Sequence, residues 1–215
     1  MIALELKSIS KHFGGVTALE NVSFKLEQGK TLGLVGGNGS GKTTLLNVIT
    51  KMVTPNSGEV HFKGKRIDNL PAYKIARLGV GRIFQTGGIF NNMTLLENLF
   101  VATDSSKEKE AENILNEVGL IQKKNEKAAT LSGGQQRLLE FGRVKVRNDE
   151  LILLDEPFAG VSEENCKKIE AVIGKLQNEG KTIILIEHDS KRIKRICDQL
   201  IELDEGKLAK ETNIN

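Results

Sequence analysis

Gly36-Gly37-Asn38-Gly39-Ser40-Gly41-Lys42-Thr43 is the stretch that decides how this chain folds. Its closely spaced glycines let the backbone curl until successive N–H groups point into one concavity, and such a nest takes an anion. The run before it, Thr31-Leu32-Gly33-Leu34-Val35, is short, apolar and closed by glycines, as a buried strand is. After it, from Lys42 to about Thr50, Leu45, Leu46, Val48 and Ile49 read as a helix. That helix aims its positive dipole end at the same concavity. Strand, glycine loop and helix in this order are the context that the spacing G-x-x-x-x-G-K-T requires. An ordinary glycine-rich turn is the competing reading, and the agreement of spacing with context argues against it. Lys42 then adds a full positive charge against the β- and γ-phosphates of a nucleotide, and Thr43 offers a hydroxyl to Mg²⁺.

Working outward, 215 residues suit one domain, or one core with an inserted lobe. The apolar fraction is 39% and the charged fraction 27%, so disorder is not indicated. A formal charge of +3, interspersed rather than blocked, with only 4% aromatics, gives no support to nucleic-acid binding. Cys166 and Cys197 belong to no Cys/His cluster and read as reduced thiols on helix faces, not as metal ligands. The first residues, Met1 to Lys7, carry charges where a signal peptide needs an apolar core. No apolar run approaches the roughly 18–20 residues of a spanning helix. The expectation is a soluble chain that meets a membrane only through a partner.

Ile2–Leu6 and Val22–Leu26 alternate as strands, as do Gly58–Lys63 and the stretch Gly79–Phe84. From about Gly87 to Asn148 the texture turns helical. Asp104–Glu112 is charged, Ile114, Leu115 and Val118 follow at helical spacing up to Gly119, and Leu138, Leu139, Phe141 and Val144 suggest a second helix. Leu151–Leu154 and Thr182–Ile186 return to buried-strand texture, around a helix with Ile169, Val172, Ile173 and Leu176 on one face. Alternating strands and helices predict an α/β domain with a mainly parallel sheet covered on both sides. The predicted division is a core of residues 1–86 and 149–215, with a helical lobe, 87–148, inserted into it.

Leu151-Ile152-Leu153-Leu154 runs into Asp155-Glu156-Pro157. A buried strand thus delivers Asp155 at its C-terminal end, where ligand sites of α/β sheets form. There Asp155 can hold Mg²⁺ through its water shell, and Glu156 can polarise an attacking water. Further along, Ser132 with Gln135 three residues on is a capping box opening a helix.

Leu131-Ser132-Gly133-Gly134-Gln135-Gln136-Arg137, between the phosphate loop and Asp155-Glu156, resembles the signature of the ATP-binding cassette (ABC) ATPases, and the resemblance covers nearly the whole chain. It implies a P-loop NTPase (RecA-like) core, an N-terminal antiparallel β-subdomain and an inserted helical subdomain. It also implies ATP and Mg²⁺ as cofactors, and a head-to-tail dimer, homo- or heteromeric, with two ATP molecules at the interface. Each nucleotide would lie between Gly36, Gly37, Asn38, Gly39, Ser40, Gly41, Lys42, Thr43 and Thr44 of one subunit and Ser132, Gly133, Gly134 and Gln135 of the other. Gln85 matches the glutamine that touches Mg²⁺ and reports to a transmembrane partner. His188 matches the switch histidine near the γ-phosphate, though alone it would read as a surface histidine. Phe13 sits where the family stacks an aromatic ring on adenine; a core phenylalanine is the alternative.

Phe13-Gly14-Gly15, Phe84-Gln85-Thr86, Met93–Leu99 and Ile186-Glu187-His188-Asp189 look like the branched-chain amino acid or urea-type importer ATPases. Asp155–Val161 is similar to these and also to the lipopolysaccharide-export ATPases. The resemblance implies transmembrane permease subunits and a solute-binding protein as partners, and a place on the cytoplasmic face of the membrane. Ile89–Leu99 would help form the groove for the permease, with core packing as the alternative for Ile89, Phe90 and Leu95. Gly37 replaces a common Pro and Ser162 a common Asp, and the lobe looks short for that branch. An export ATPase or a non-transport regulatory ABC ATPase are the alternative functions. The paired cations Lys191-Arg192 and Lys194-Arg195 read as a solvated helix face.

Overall fold

A computed structural model describes residues 1–85, 88–102 and 108–214. Thr86 and Gly87, at the expected lobe boundary, and Thr103–Lys107, at the start of the charged stretch, therefore lie outside the described residues. In chain order the elements are β1 (Ile2–Phe13), β2 (Val16–Glu27), β3 (Thr31–Val35), α1 (Lys42–Ile49), β4 (Ser57–Phe62), β5 (Lys65–Arg66), α2 (Ala72–Arg77) and β6 (Val80–Ile83). Helices α3 (Leu95–Phe100), α4 (Glu108–Glu117) and α5 (Gly133–Arg147) follow. The chain continues through β7 (Leu151–Asp155), α6 (Glu163–Asn178), β8 (Thr182–Ile186), α7 (Ser190–Ile196), β9 (Gln199–Asp204) and β10 (Lys207–Asn213).

Two sheets are built from these strands. The larger runs β10-β9-β3-β8-β7-β6, parallel from β9 to β6 with β10 antiparallel at its edge. The smaller, β2-β1-β4-β5, is antiparallel. Strands β1 and β2 reach further than their alternation predicts, because Gly14-Gly15 turns a hairpin that pairs Phe13 with Val16. Gly14 takes a positive φ of 55° there, which a side-chain-free residue accepts at no cost.

The parallel strands are apolar throughout because both faces are covered. Leu32, Leu34, Val80, Leu151, Leu153, Ile184 and Ile186 pack toward α1 and the antiparallel sheet. Ile83, Ile152, Leu154, Ile183 and Leu185 pack with α3–α7. Period-two alternation therefore sends Asp155, two residues beyond Leu153, to the side of α1.

Helix α5 runs to Arg147 despite its β-branched Val144 and Val146, since both are buried and Lys145 between them pairs with Glu117 at 2.6 Å and Glu179 at 2.8 Å. Packing overrides propensity here. The cationic face of α7 is not simply solvated. Arg192 and Arg195 both bond Glu170 of α6, and the Arg192 guanidinium stacks on Phe158. Cys166 lies on α6, whereas Cys197 caps the end of α7; burial pushes its thiol up to about 12, so it is inert.

Asp149, 2% exposed, gives one oxygen to Arg147 while its Oδ2, without a hydrogen-bond partner among the described residues, lies against Gly81. Burial raises its pKa to about 6, against the pull of Arg147. A carboxyl raised in the folded state stabilises the fold fully below its unfolded pKa and loses that contribution as pH rises through about 6. Asp149→Asn should therefore melt above the parent at pH 8, by an effect of up to about 3 kcal/mol, and lose the advantage by about pH 4. Calorimetry across that range checks it; a difference independent of pH would contradict the assignment.

Candidate nucleotide site

Two glycines of the loop between β3 and α1 sit where no side chain fits. Gly36 has φ 144° and a Cβ there would meet the Leu203 carbonyl at 2.2 Å; Gly41 has φ 101°, and its Cβ would meet the Ala18 carbonyl at 2.5 Å. Gly37, Asn38 and Gly39 remain exposed, as does Thr43 at the start of α1, while Ser40 is buried and Thr44 half-buried. Lys42 folds back across the loop, donating from Nζ to the Gly36 carbonyl at 2.9 Å, the Gly37 carbonyl at 2.7 Å and Ser40 Oγ at 3.3 Å. Burial lowers its pKa, opposed by the charges of Glu156 and Asp155. Both carboxylates are thus within electrostatic reach of the loop.

The strand order explains this. Ile83 pairs with Leu154, and Asp155 with Ile186, so the residues just beyond β6, β7 and β8 emerge side by side at the C-terminal edge. Gln85, Glu156 and His188 are those residues. Gln85 Nε2 donates to Glu156 Oε2 at 2.9 Å, and His188 Nε2 lies 3.0 Å from Glu156 Oε1. Glu156 itself sits at φ 49°, in the left-handed region that non-glycine residues avoid, with its N–H donating to the Ile186 carbonyl at 3.1 Å. Its side chain is thereby turned out of the strand's alternation toward Gln85 and His188. Asp155, 2% exposed, has Oδ1 3.5 Å from Thr43 Oγ1.

Five expected residues, Phe13 and Ser132–Gln135, come from other elements. Phe13, at the β1–β2 hairpin, is 48% exposed with Lys11 over its ring, so the core alternative does not hold. Ser132 caps α5, and its capping box closes on itself: Ser132 Oγ accepts from the Gln135 N–H and Gln135 Oε1 accepts from the Ser132 N–H. Ser132 and Gly133 are exposed, Gln135 is half-buried and Gly134 packs on Asn165 of α6. The structure also adds two arginines. Buried Arg137, on α5, donates to the carbonyls of Phe84 and Gln85 and pairs with Glu140, tying the signature helix to the Gln85 segment. Arg82 on β6, its side chain nearly covered, bonds Asp155. Arg137 stood within the signature motif, but neither contact has a local sequence signal.

A glycine loop joining a central parallel strand to a helix, with carboxylates at the end of another parallel strand of the same sheet, defines a P-loop nucleotide hydrolase. The family model for ABC transporters matches residues 19–159, and the chain belongs to that family. It is 36% identical to the high-affinity branched-chain amino acid transport ATP-binding protein BraF of Pseudomonas aeruginosa, over 94% of this chain and 88% of that one. Among solved structures it is similar to a nucleotide-free ATP-binding cassette from an ABC transporter, with a TM-score of 0.92 and 31% identity, covering 99% of this chain and 92% of that one. It is also similar to a dimeric cassette in a post-hydrolysis state bound to ADP and Pi, with a TM-score of 0.87 and 27% identity, covering 99% of each chain. The chain is an ATP-binding, ATP-hydrolysing cassette of the transporter type. No helix among the described residues is long and apolar enough to cross a membrane.

Proposed function

We propose that this cassette powers uptake of branched-chain amino acids, or of a similar small polar solute, from the cytoplasmic face of the membrane through permease subunits. The observation that carries the hydrolytic part is the placement of Glu156, held between Gln85 and His188 at the edge that also carries the phosphate loop. In this reading Glu156 orients and deprotonates the attacking water, and His188 and Gln85 hold it and contact the γ-phosphate side. The Gly36–Thr44 loop cradles the triphosphate, Lys42 leaves its loop carbonyls for the phosphates, and exposed Phe13 stacks on adenine. Thr43 Oγ1 and Asp155 Oδ1, converging at 3.5 Å, are hard oxygen donors that suit Mg²⁺. Bound there with Gln85 nearby, the ion would neutralise phosphate charge.

Ser132–Gln135 would complete the site of a second subunit: the capping box takes the N–H groups of Ser132 and Gln135, which leaves those of Gly133 and Gly134, in the first turn of α5, for an anion. The dimeric relative supports that arrangement. Residues 87–148 would form the lobe that takes up the permease, with the solute-binding protein engaging the permease from the far side. The importer reading is supported by the identity to BraF over 94% of the chain.

Because each site needs two subunits, the isolated chain should bind ATP readily but hydrolyse it with a specific activity that falls on dilution. A turnover rate independent of protein concentration would remove the shared-site argument. Co-expression with candidate permeases, followed by affinity purification and ATPase assay in membranes with and without branched-chain amino acids, tests the transport assignment. Retention of a multi-spanning partner with solute-stimulated turnover is expected; no retained partner would overturn it.

A further inference from the structure

Arg82 is a charged side chain that the function above does not use. It lies on β6, two residues beyond Val80 and so on the α1 side of the sheet, and its side chain is 5% exposed. Its Nη2 donates to Asp155 Oδ2 at 2.9 Å, while Nη1 donates to Asn47 Oδ1 at 2.7 Å and reaches Thr50 Oγ1 at 3.4 Å. The guanidinium stacks over Phe84 at 4.7 Å, and Nε has no hydrogen-bond partner among the described residues. One planar fork thus spans three elements: the phosphate-loop helix, the strand that ends in Asp155, and its own strand.

We propose that Arg82 is the positioning residue that sets Asp155 for the cation and locks it to the phosphate-loop helix. This rests on the reading of Thr43 and Asp155 as the cation pair. A carboxylate has two oxygens and a soft terminal torsion. Holding Oδ2 in the fork leaves Oδ1 as the arm that faces Thr43. A buried pair of charges contributes little to stability over apolar residues of the same volume, so packing alone gives a weak reason for an arginine there. Orientation of a ligand gives a strong one, because outer partners of metal ligands change metal affinity by about 10–100-fold. Asn47 lies on α1 and Thr50 caps its end, while the first residues of that helix are Lys42 and Thr43, so the same fork fixes the two halves of the cation site relative to each other.

The test is equilibrium binding of a β,γ-imido ATP analogue as Mg²⁺ is titrated, with melting to verify the fold. Arg82→Gln should bind the analogue without Mg²⁺ as the parent does, but need about tenfold more Mg²⁺ for half of the Mg²⁺-dependent gain in affinity. Arg82→Lys keeps the buried charge but cannot span Asp155 and Asn47 together, so its Mg²⁺ requirement should lie between the two. If Arg82→Gln does not fold, Arg82→Lys carries the test, and a requirement equal to the parent's overturns the proposal. Asp155→Asn separates the two layers. If it raises the Mg²⁺ requirement and the Arg82 variants do not, the role of Arg82 falls while the cation pair stands; if it leaves the requirement unmoved, both fall.

Discussion

Glu156→Gln should bind ATP as tightly as the parent, turn it over at least about a hundredfold more slowly, and accumulate as an ATP-bound dimer. The carboxamide keeps the size of the carboxylate and an oxygen that can still accept from Gln85 or His188. It cannot take a proton from water. The phosphate loop, with Lys42, Thr43 and the glycine backbone, lies outside the substitution, so the affinity term is left in place. The dimer follows from contacts that two subunits would make with one γ-phosphate, each charge-assisted bond contributing about 1.5–3 kcal/mol. While the phosphate stays uncleaved, those contacts persist and the pair stays closed. Size-exclusion chromatography with ATP, beside a phosphate-release assay, checks both halves. Undiminished hydrolysis in the variant would remove Glu156 from the role given to it.

Lys42→Ala should instead lose ATP affinity by about 10–100-fold, the loss expected for one charge-assisted contact of about 1.5–3 kcal/mol. The helix itself should survive, since Ala is a strong helix former and α1 is anchored by buried Leu45, Leu46, Val48 and Ile49. Nζ bonds the Gly36 and Gly37 carbonyls and Ser40 Oγ, so the alanine variant also leaves those loop oxygens to water. Part of the loss is therefore a looser loop. Titration calorimetry with ATP measures the affinity, and a melting curve separates it from general instability. Unaltered affinity would count against the loop as the triphosphate site.

Different residues were legible to different degrees. Thr31–Val35, Leu151–Asp155 and Thr182–Ile186 read directly as buried strands, because apolar runs closed by turn residues are a local property. The capped start of α5 at Ser132 was equally local. Helix α3 carries a comparable signal, Thr94 with Glu97 three residues on, and its capping box forms in the structure. The reach of β1 to Phe13 depended on Gly14-Gly15 serving as a hairpin turn, which takes a partner strand to define. Arg82 on Asp155 and Arg137 on the Gln85 carbonyl were illegible. They join residues 73 and 52 apart in the chain, and no periodicity encodes that.

The sequence by itself determined the phosphate loop, because Gly36 to Thr43 needs only its own glycines, its lysine and the helix that follows. It also determined that Asp155 and Glu156 end a buried strand. What only the tertiary structure decided is the strand order β3-β8-β7-β6, which places the loop, His188, the two carboxylates and Gln85 in one row. Buried parallel strands are near-interchangeable apolar runs, so their neighbours are chosen by the summed packing of both sheet faces and by crossover geometry. The phosphate loop is therefore a local object, while the edge that gathers Gln85, Glu156 and His188 beside it is a property of the whole sheet.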